Sequence, residues 1–305
     1  MIPMPSKLLT AMITPFDQQG ELNLREAGRI ARFLVHQGND GVVVAGSTGE
    51  GTSLSDDEKI ALFSAVKEGL SNKGIVIAGT GNANTRASVA LTKRAEAIGV
   101  DGILATVPAY CKPTQEGMLI HFGEIAAATT LPIIIYNIPG RTAANLQPAT
   151  LNELARHHKN VIGVKESSGD FQQIAAIIRD AREDFTLWCG DDYLFLPSLA
   201  IGAAGLVSVA GHLCARELRE LIDAYERGDI ALARRIHLQL TPLFVALFST
   251  TSPIPVKWAM RELGFDVGAC RSPLGSIPAS SAAQLRPLLA PYVERTQAEL
   301  SSIAQ

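Results

Sequence analysis

The sequence predicts an α/β fold, a (β/α)8 TIM barrel with a C-terminal helical appendage. Three observations carry that expectation. Eight short apolar runs alternate with segments of helical spacing between Leu8 and Val209. The turn after the first run has no GxGxxG, which disfavours a doubly wound dinucleotide sheet, although such a sheet would also alternate. After Val209 the helical segments follow one another with no strand between them. The expected division is a catalytic barrel over residues 1–212 and a helical region over 213–305.

Each element has a local reason. Leu8 to Ile13 is an apolar strand stopped by Thr14-Pro15. Leu24 to Gln37 places Ala27, Ile30, Ala31, Leu34 and Val35 on one helical face. Gly41 to Ala45 is the second strand and runs into Gly46-Ser47-Thr48-Gly49-Glu50-Gly51. Ser55 to Leu70 is a helix with Ser55 as N-cap and Glu58 completing a capping box. Ile75 to Ala78 is the third strand; Asn84 to Ile98 is a helix stopped by Gly99. Gly102 to Val107 and Pro132 to Tyr136 are strands around a helix from Thr114 to Ala128. A helix from Gln147 to His157, opened by Pro148, leads to the sixth strand, Val161 to Lys165. Phe171 to Ala181 is helical, Phe185 to Trp188 a strand, Tyr193 to Ile201 helical and Gly205 to Val209 the eighth strand. The tail reads as helices over Arg216 to Glu226, Ile230 to Phe248, Pro255 to Leu263 and Ala282 to Leu300.

Composition narrows the function classes. The 305 residues are 47% hydrophobic and 19% charged, with a net charge of −3, so there is no electrostatic case for a nucleic-acid partner. No apolar run reaches the length of a membrane span. Cys111, Cys189, Cys214 and Cys270 form no CxxC pair, which points to reduced thiols in a cytoplasmic protein and away from structural zinc. Met1 to Lys7 lacks the basic and apolar regions of a signal peptide.

Barrel active sites lie at the C-terminal ends of the strands. There the sequence puts Ser47 and Thr48 after strand two, Tyr110 after strand four, Tyr136 and then Arg141 after strand five, and Lys165 after strand six. Gly190-Asp191-Asp192 follows strand seven, and strand eight passes through Val207. A lysine at the mouth of an apolar strand loses part of its hydration, which favours the neutral amine, a nucleophile toward ketones. The alternative is a lysine that reaches solvent or pairs with Glu166. Phenols and hydroxyls can relay protons, and a guanidinium can hold a carboxylate through two parallel bonds. There is no HxH or HExxH for a metal, and the turns after strands seven and eight do not make a phosphate cradle.

The stretches Gly46-Ser47-Thr48-Gly49-Glu50, Tyr136-Asn137-Ile138-Pro139-Gly140-Arg141-Thr142, Val161-Ile162-Gly163-Val164-Lys165, Gly190-Asp191-Asp192 and Pro253-Ile254-Pro255-Val256-Lys257 resemble the dihydrodipicolinate synthase family of pyruvate-dependent class I aldolases. The resemblance covers nearly the whole chain. It implies a Schiff base between pyruvate and Lys165 and an enamine that attacks L-aspartate 4-semialdehyde. The product would be 4-hydroxy-tetrahydrodipicolinate, on the route to diaminopimelate and lysine, with no metal or organic cofactor. Tyr136 would shuttle protons beside the Schiff base, with Ser47 and Tyr110 in its relay. Tyr110 would come from the neighbouring subunit of a homo-oligomer, a tetramer built as a dimer of dimers. Thr48 and Ser47 would hold the pyruvate carboxylate and Arg141 that of the semialdehyde, while Gly190 and Val207 would line the pocket through their backbone.

Departures from the family pattern stand beside these. Position 47 is serine where many members have threonine; Ala109 and Cys111 flank Tyr110 where tyrosine and asparagine are common; Ala143 stands where glycine is frequent. The positions resembling a lysine feedback site are Gly51, Thr52, Asp56, Lys59, Ala83, Ala87 and Ala109, a set without the carboxylate and the aromatic wall of sensitive relatives. Two other readings remain open: an aldolase or lyase of the same superfamily acting on a sugar acid, and a keto-acid-binding barrel without turnover.

Overall fold

The computed structural model describes residues 6–303; residues 1–5, part of the Met1 to Lys7 stretch weighed as a leader, lie outside them. Eight parallel strands close into a barrel in chain order. They are β1 (Leu8–Ala11), β2 (Gly41–Val44), β3 (Ile75–Gly79), β4 (Gly102–Thr106), β5 (Ile133–Asn137), β6 (Val161–Glu166), β7 (Thr186–Cys189) and β8 (Gly205–Ser208). β8 pairs back onto β1 through Leu8 opposite Leu206, so the eight strands leave no open barrel edge among the described residues.

Alternation along the strands makes two cores. Leu9, Ala11, Val43, Ile77, Leu104, Ile134, Tyr136, Trp188 and Val207 point inward and fill the barrel. Leu8, Val42, Val44, Val76, Ile103, Ile135 and Val164 point outward against the helices. The indole of Trp188 donates to the Ser6 carbonyl at 2.7 Å, so this large interior side chain has its polar atom satisfied.

The helical layer comprises α1 (Leu24–His36), α2 (Asp56–Leu70), α3 (Thr85–Ile98), α4 (Gln115–Ala127), the four-residue α5 (Pro139–Thr142), α6 (Pro148–His157), α7 (Phe171–Asp180) and α8 (Phe195–Ile201). Ser55 and Glu58 form the expected capping box, and Gly99 ends α3 with φ +83°. α8 is preceded by a 3-10 turn at Asp192–Leu194, so the segment expected as one helix is two short pieces. α5 was not anticipated: four residues cannot show a helical period.

After the barrel come α9 (Ala215–Glu226), α10 (Ile230–Ala246), α11 (Ile254–Glu262) and α12 (Ala279–Ile303). Val256, Ala259, Met260, Leu285 and Leu289 belong to the same hydrophobic cluster as the barrel's outer face, so this tail packs as part of one core. No helix among the described residues is long and apolar enough to cross a membrane.

Candidate active site

Tyr136 and Lys165 are partners across the β5–β6 ladder. Both side chains are buried, at 4% exposure, and both point into the barrel mouth. The Lys165 Nζ lies 4.1 Å from the centroid of the Tyr136 ring. Among the described residues no carboxylate is within ion-pair distance of that ammonium. Pairing with Glu166 is not what the structure shows. Glu166 faces the other side of β6 and accepts from Asn137 Nδ2 at 3.0 Å, Ser168 N at 2.7 Å and Gln173 Nε2 at 3.2 Å. Burial pushes its carboxyl above the usual range, against the pull of those donors.

Gly190 follows β7 and abuts the lysine. A Cβ there would sit 2.0 Å from Ser167 Oγ and 2.9 Å from Lys165 Cε, so only glycine leaves room for both side chains. Asp192, two residues on, is buried and accepts from the Ser208 hydroxyl and from the backbone of Val209 and Ala210. It therefore ties the β7 and β8 ends together and is a structural carboxylate, raised by burial. Val207 is fully buried in the barrel interior with Tyr136.

The turn after β2 carries Ser47, half-buried, and Thr48, buried. It is closed by Gly51 N donating to Gly46 O at 3.0 Å and anchored by Thr14 Oγ1 donating to Gly49 O at 2.6 Å. A Cβ on Gly51 would meet the Ala45 carbonyl oxygen at 2.1 Å, which explains a glycine there. Glu50 closes the turn with φ +53°, and its carboxylate is buried against Lys257 Nζ at 2.6 Å.

α5 begins with a proline at its first turn and carries Arg141, whose Nη2 donates to Ser252 O at 3.1 Å. The helix ends at Ala143 with φ +56°, a left-handed position that glycine takes more easily. Ser47, Thr106, Ile138, Arg141, Lys59 and Ser252 share the lining of one cavity of about 590 Å³. Lys165 and Tyr136 lie beside it through the ladder, since Thr106 pairs with Tyr136 and Tyr136 with Lys165. A second cavity of about 480 Å³ lies on the outer layer between α6 and α7, near Asn152 and Arg156 and on neither β5 nor β6.

Tyr110 stands apart from these residues within the chain. It is 95% exposed, has φ +72°, and its backbone N–H donates to Thr142 O at 3.3 Å. Residues that the sequence reading gave no part in the site are Asn137, Glu166 as a hydrogen-bonded anchor, Ser252 and Ser167. The Ser167 hydroxyl is buried and has no hydrogen-bond partner among the described residues. Strand alternation could have flagged Ser167, because it lies two residues beyond Lys165.

Comparisons with known proteins bear on the family and the fold. The model of the dihydrodipicolinate synthetase family matches residues 4–291. A 4-hydroxy-tetrahydrodipicolinate synthase of Moorella thermoacetica is 49% identical over 268 residues, covering 88% of this chain and 91% of that one. The enzyme of the same name from Bacillus subtilis is 46% identical over 87% of this chain and 91% of its own. Among solved structures, the synthase of Cyanidioschyzon merolae with lysine bound superposes with a TM-score of 0.92. It has 41% identity and covers 93% of this chain and 97% of its own. With the closed barrel and the strand-end lysine and tyrosine already in place, a match of this extent means that the chain belongs to the dihydrodipicolinate synthetase family.

Proposed function

We propose that the chain is a lyase that condenses pyruvate with L-aspartate 4-semialdehyde through a Schiff base on Lys165. The observation that carries the reading is the buried Lys165 ammonium, unpaired by any carboxylate among the described residues and 4.1 Å above the Tyr136 ring. The neutral amine adds to the pyruvate ketone, the carbinolamine loses water, and the iminium releases a C3 proton to become an enamine. The enamine carbon attacks the aldehyde. The amine of the bound semialdehyde then closes on the iminium carbon and displaces Lys165, leaving 4-hydroxy-tetrahydrodipicolinate. Net, one water is released. The iminium is itself the electron sink, so the steps call for no metal or organic cofactor.

Within this reading Tyr136 moves protons at the Schiff base, with Ser47 and a Tyr110 from a second copy in its relay. The 95% exposure of Tyr110 supports its reaching into a neighbour, and with it a homo-oligomer, proposed as a tetramer. Thr48 and Ser47 receive the pyruvate carboxylate and Arg141 the semialdehyde carboxylate, with Gly190 and Val207 presenting backbone to the pocket. Diaminopimelate and lysine synthesis in the cytoplasm is the corresponding role. The test is borohydride reduction in the presence of pyruvate, followed by peptide mapping and by turnover with a panel of aldehydes. Adduct on Lys165 and preferred turnover of the semialdehyde are expected. Adduct on another lysine, or trapping that survives in Lys165→Ala, would overturn the assignment.

A further inference from the structure

One short stretch of the C-terminal region bonds both to Arg141 and to the turn that carries Ser47 and Thr48. Ser252, just before α11, accepts from Arg141 Nη2 at 3.1 Å. Lys257, in the first turns of α11, donates to Glu50 Oε1 at 2.6 Å. Glu50 in turn closes the turn that carries Ser47 and Thr48. Lys257 and Glu50 are 2% exposed each, so their pair is shielded from water and from salt. The second carboxylate oxygen of Glu50 accepts from the Arg271 backbone N–H at 2.8 Å. Lys257 Nζ and the Arg271 guanidinium lie 4.1 and 4.3 Å from the centroid of the Phe16 ring.

We infer that the segment Ser252–Lys257 is a positioning element that sets the hydroxyl turn and Arg141 relative to one another. Lys257 and Glu50 are its positioning residues. A buried carboxylate that loses its cation must find another partner or move toward water. Here it sits two residues from Thr48, so its movement displaces the two hydroxyls. Surface charges could not transmit position this way, because an exposed pair is weakly held.

The inference rests on the proposed function, and its test separates the two. Lys257→Met and Glu50→Gln are compared with wild type by pyruvate-dependent borohydride trapping on Lys165 and by steady-state kinetics. Lys257→Met is expected to raise the half-saturating pyruvate concentration at least tenfold while the adduct, at saturation, still forms on Lys165. Glu50→Gln keeps an oxygen to accept from Lys257 and should fall between. Arg271→Ala controls for stability. It removes side-chain bonds to Gly20 O, Ser53 O and Glu58 but leaves the backbone donor to Glu50. It should lower the melting temperature and leave half-saturation within twofold. If wild type forms no Lys165 adduct, the proposed function fails. If wild type traps normally and Lys257→Met keeps its pyruvate half-saturation, or Arg271→Ala shifts it equally, the positioning role is overturned.

Discussion

Replacing Arg141 with alanine tests the second half of the proposed reaction. The guanidinium has five N–H donors. One of its terminal nitrogens is committed to the Ser252 carbonyl at 3.1 Å, and the side chain lines the 590 Å³ cavity. The other donors therefore have geometry left for a carboxylate in that cavity. A charge-assisted contact is worth about 1.5–3 kcal/mol, which is roughly ten- to a hundredfold in the second-order rate constant. Arg141→Ala is expected to lower kcat/KM for the semialdehyde by that factor. Pyruvate trapping on Lys165 should stay near wild type, because the hydroxyls proposed for pyruvate are on the turn after β2, whereas Arg141 is on α5. Arg141→Lys keeps the charge and loses the planar fork, so it should recover only part of the loss. The assay is initial rate against each substrate with the other saturating. Equal loss of both half-reactions would assign Arg141 a purely structural role through Ser252 and refute the reasoning.

Free lysine at millimolar concentration is expected to leave the initial rate unchanged. Lys59 lines the cavity as a buried cation, with Asp56 no closer than 3.9 Å; Ala87 offers no carboxylate, and Ala109 on the cavity wall offers no aromatic ring. Inhibition below a millimolar would show a binding site built from other residues. Acid stability should depend on His212, whose Nε2 accepts from Ile13 N at 3.1 Å and whose pKa burial lowers to about 4. The unfolded chain binds this proton near pH 6.5, so the contribution is complete above that pH and fades as pH falls toward 4. It amounts to about 3 kcal/mol. Glu166 and Asp192, raised by burial, work in the opposite direction. Comparing wild type with His212→Gln by denaturant unfolding at fixed protein concentration isolates the histidine; parallel pH profiles would refute its role.

Much of this was legible because the barrel writes its pattern locally. Runs such as Gly41 to Ala45 and Gly102 to Val107 are short, apolar and bounded by turn residues, and the structure keeps each strand within a residue or two of its expected span. The rule that sites gather at strand ends then selects Ser47, Tyr136 and Lys165 without any contact information. Contacts between distant residues are different in kind. Lys257 and Glu50 are 207 positions apart, and nothing in either neighbourhood announces the other. The Asn137–Glu166 bond is equally silent. An acid beside a lysine reads locally as its partner, whereas strand alternation turns the two to opposite faces.

The orientation of Lys165 depends on one further residue. Simple alternation from Val161, which points outward, would put Ile162 inward, Gly163 outward, Val164 inward and Lys165 outward. The ladder does not run that way. Ile133 pairs with Val161, but the next residue, Ile134, pairs with Gly163, so β6 carries an extra residue at Ile162. This bulge shifts the phase by one. Val164 then joins the outer cluster opposite Ile135, and Lys165 comes inward opposite Tyr136. Without the bulge, the pairing begun at Ile133 would set Tyr136 against Val164 and send the lysine into the helical layer. There its ammonium would lie among apolar side chains, with Glu166 turned to the opposite face of β6. The apolar run alone could place the lysine at the end of its strand; its facing the tyrosine follows from the irregularity three residues before it.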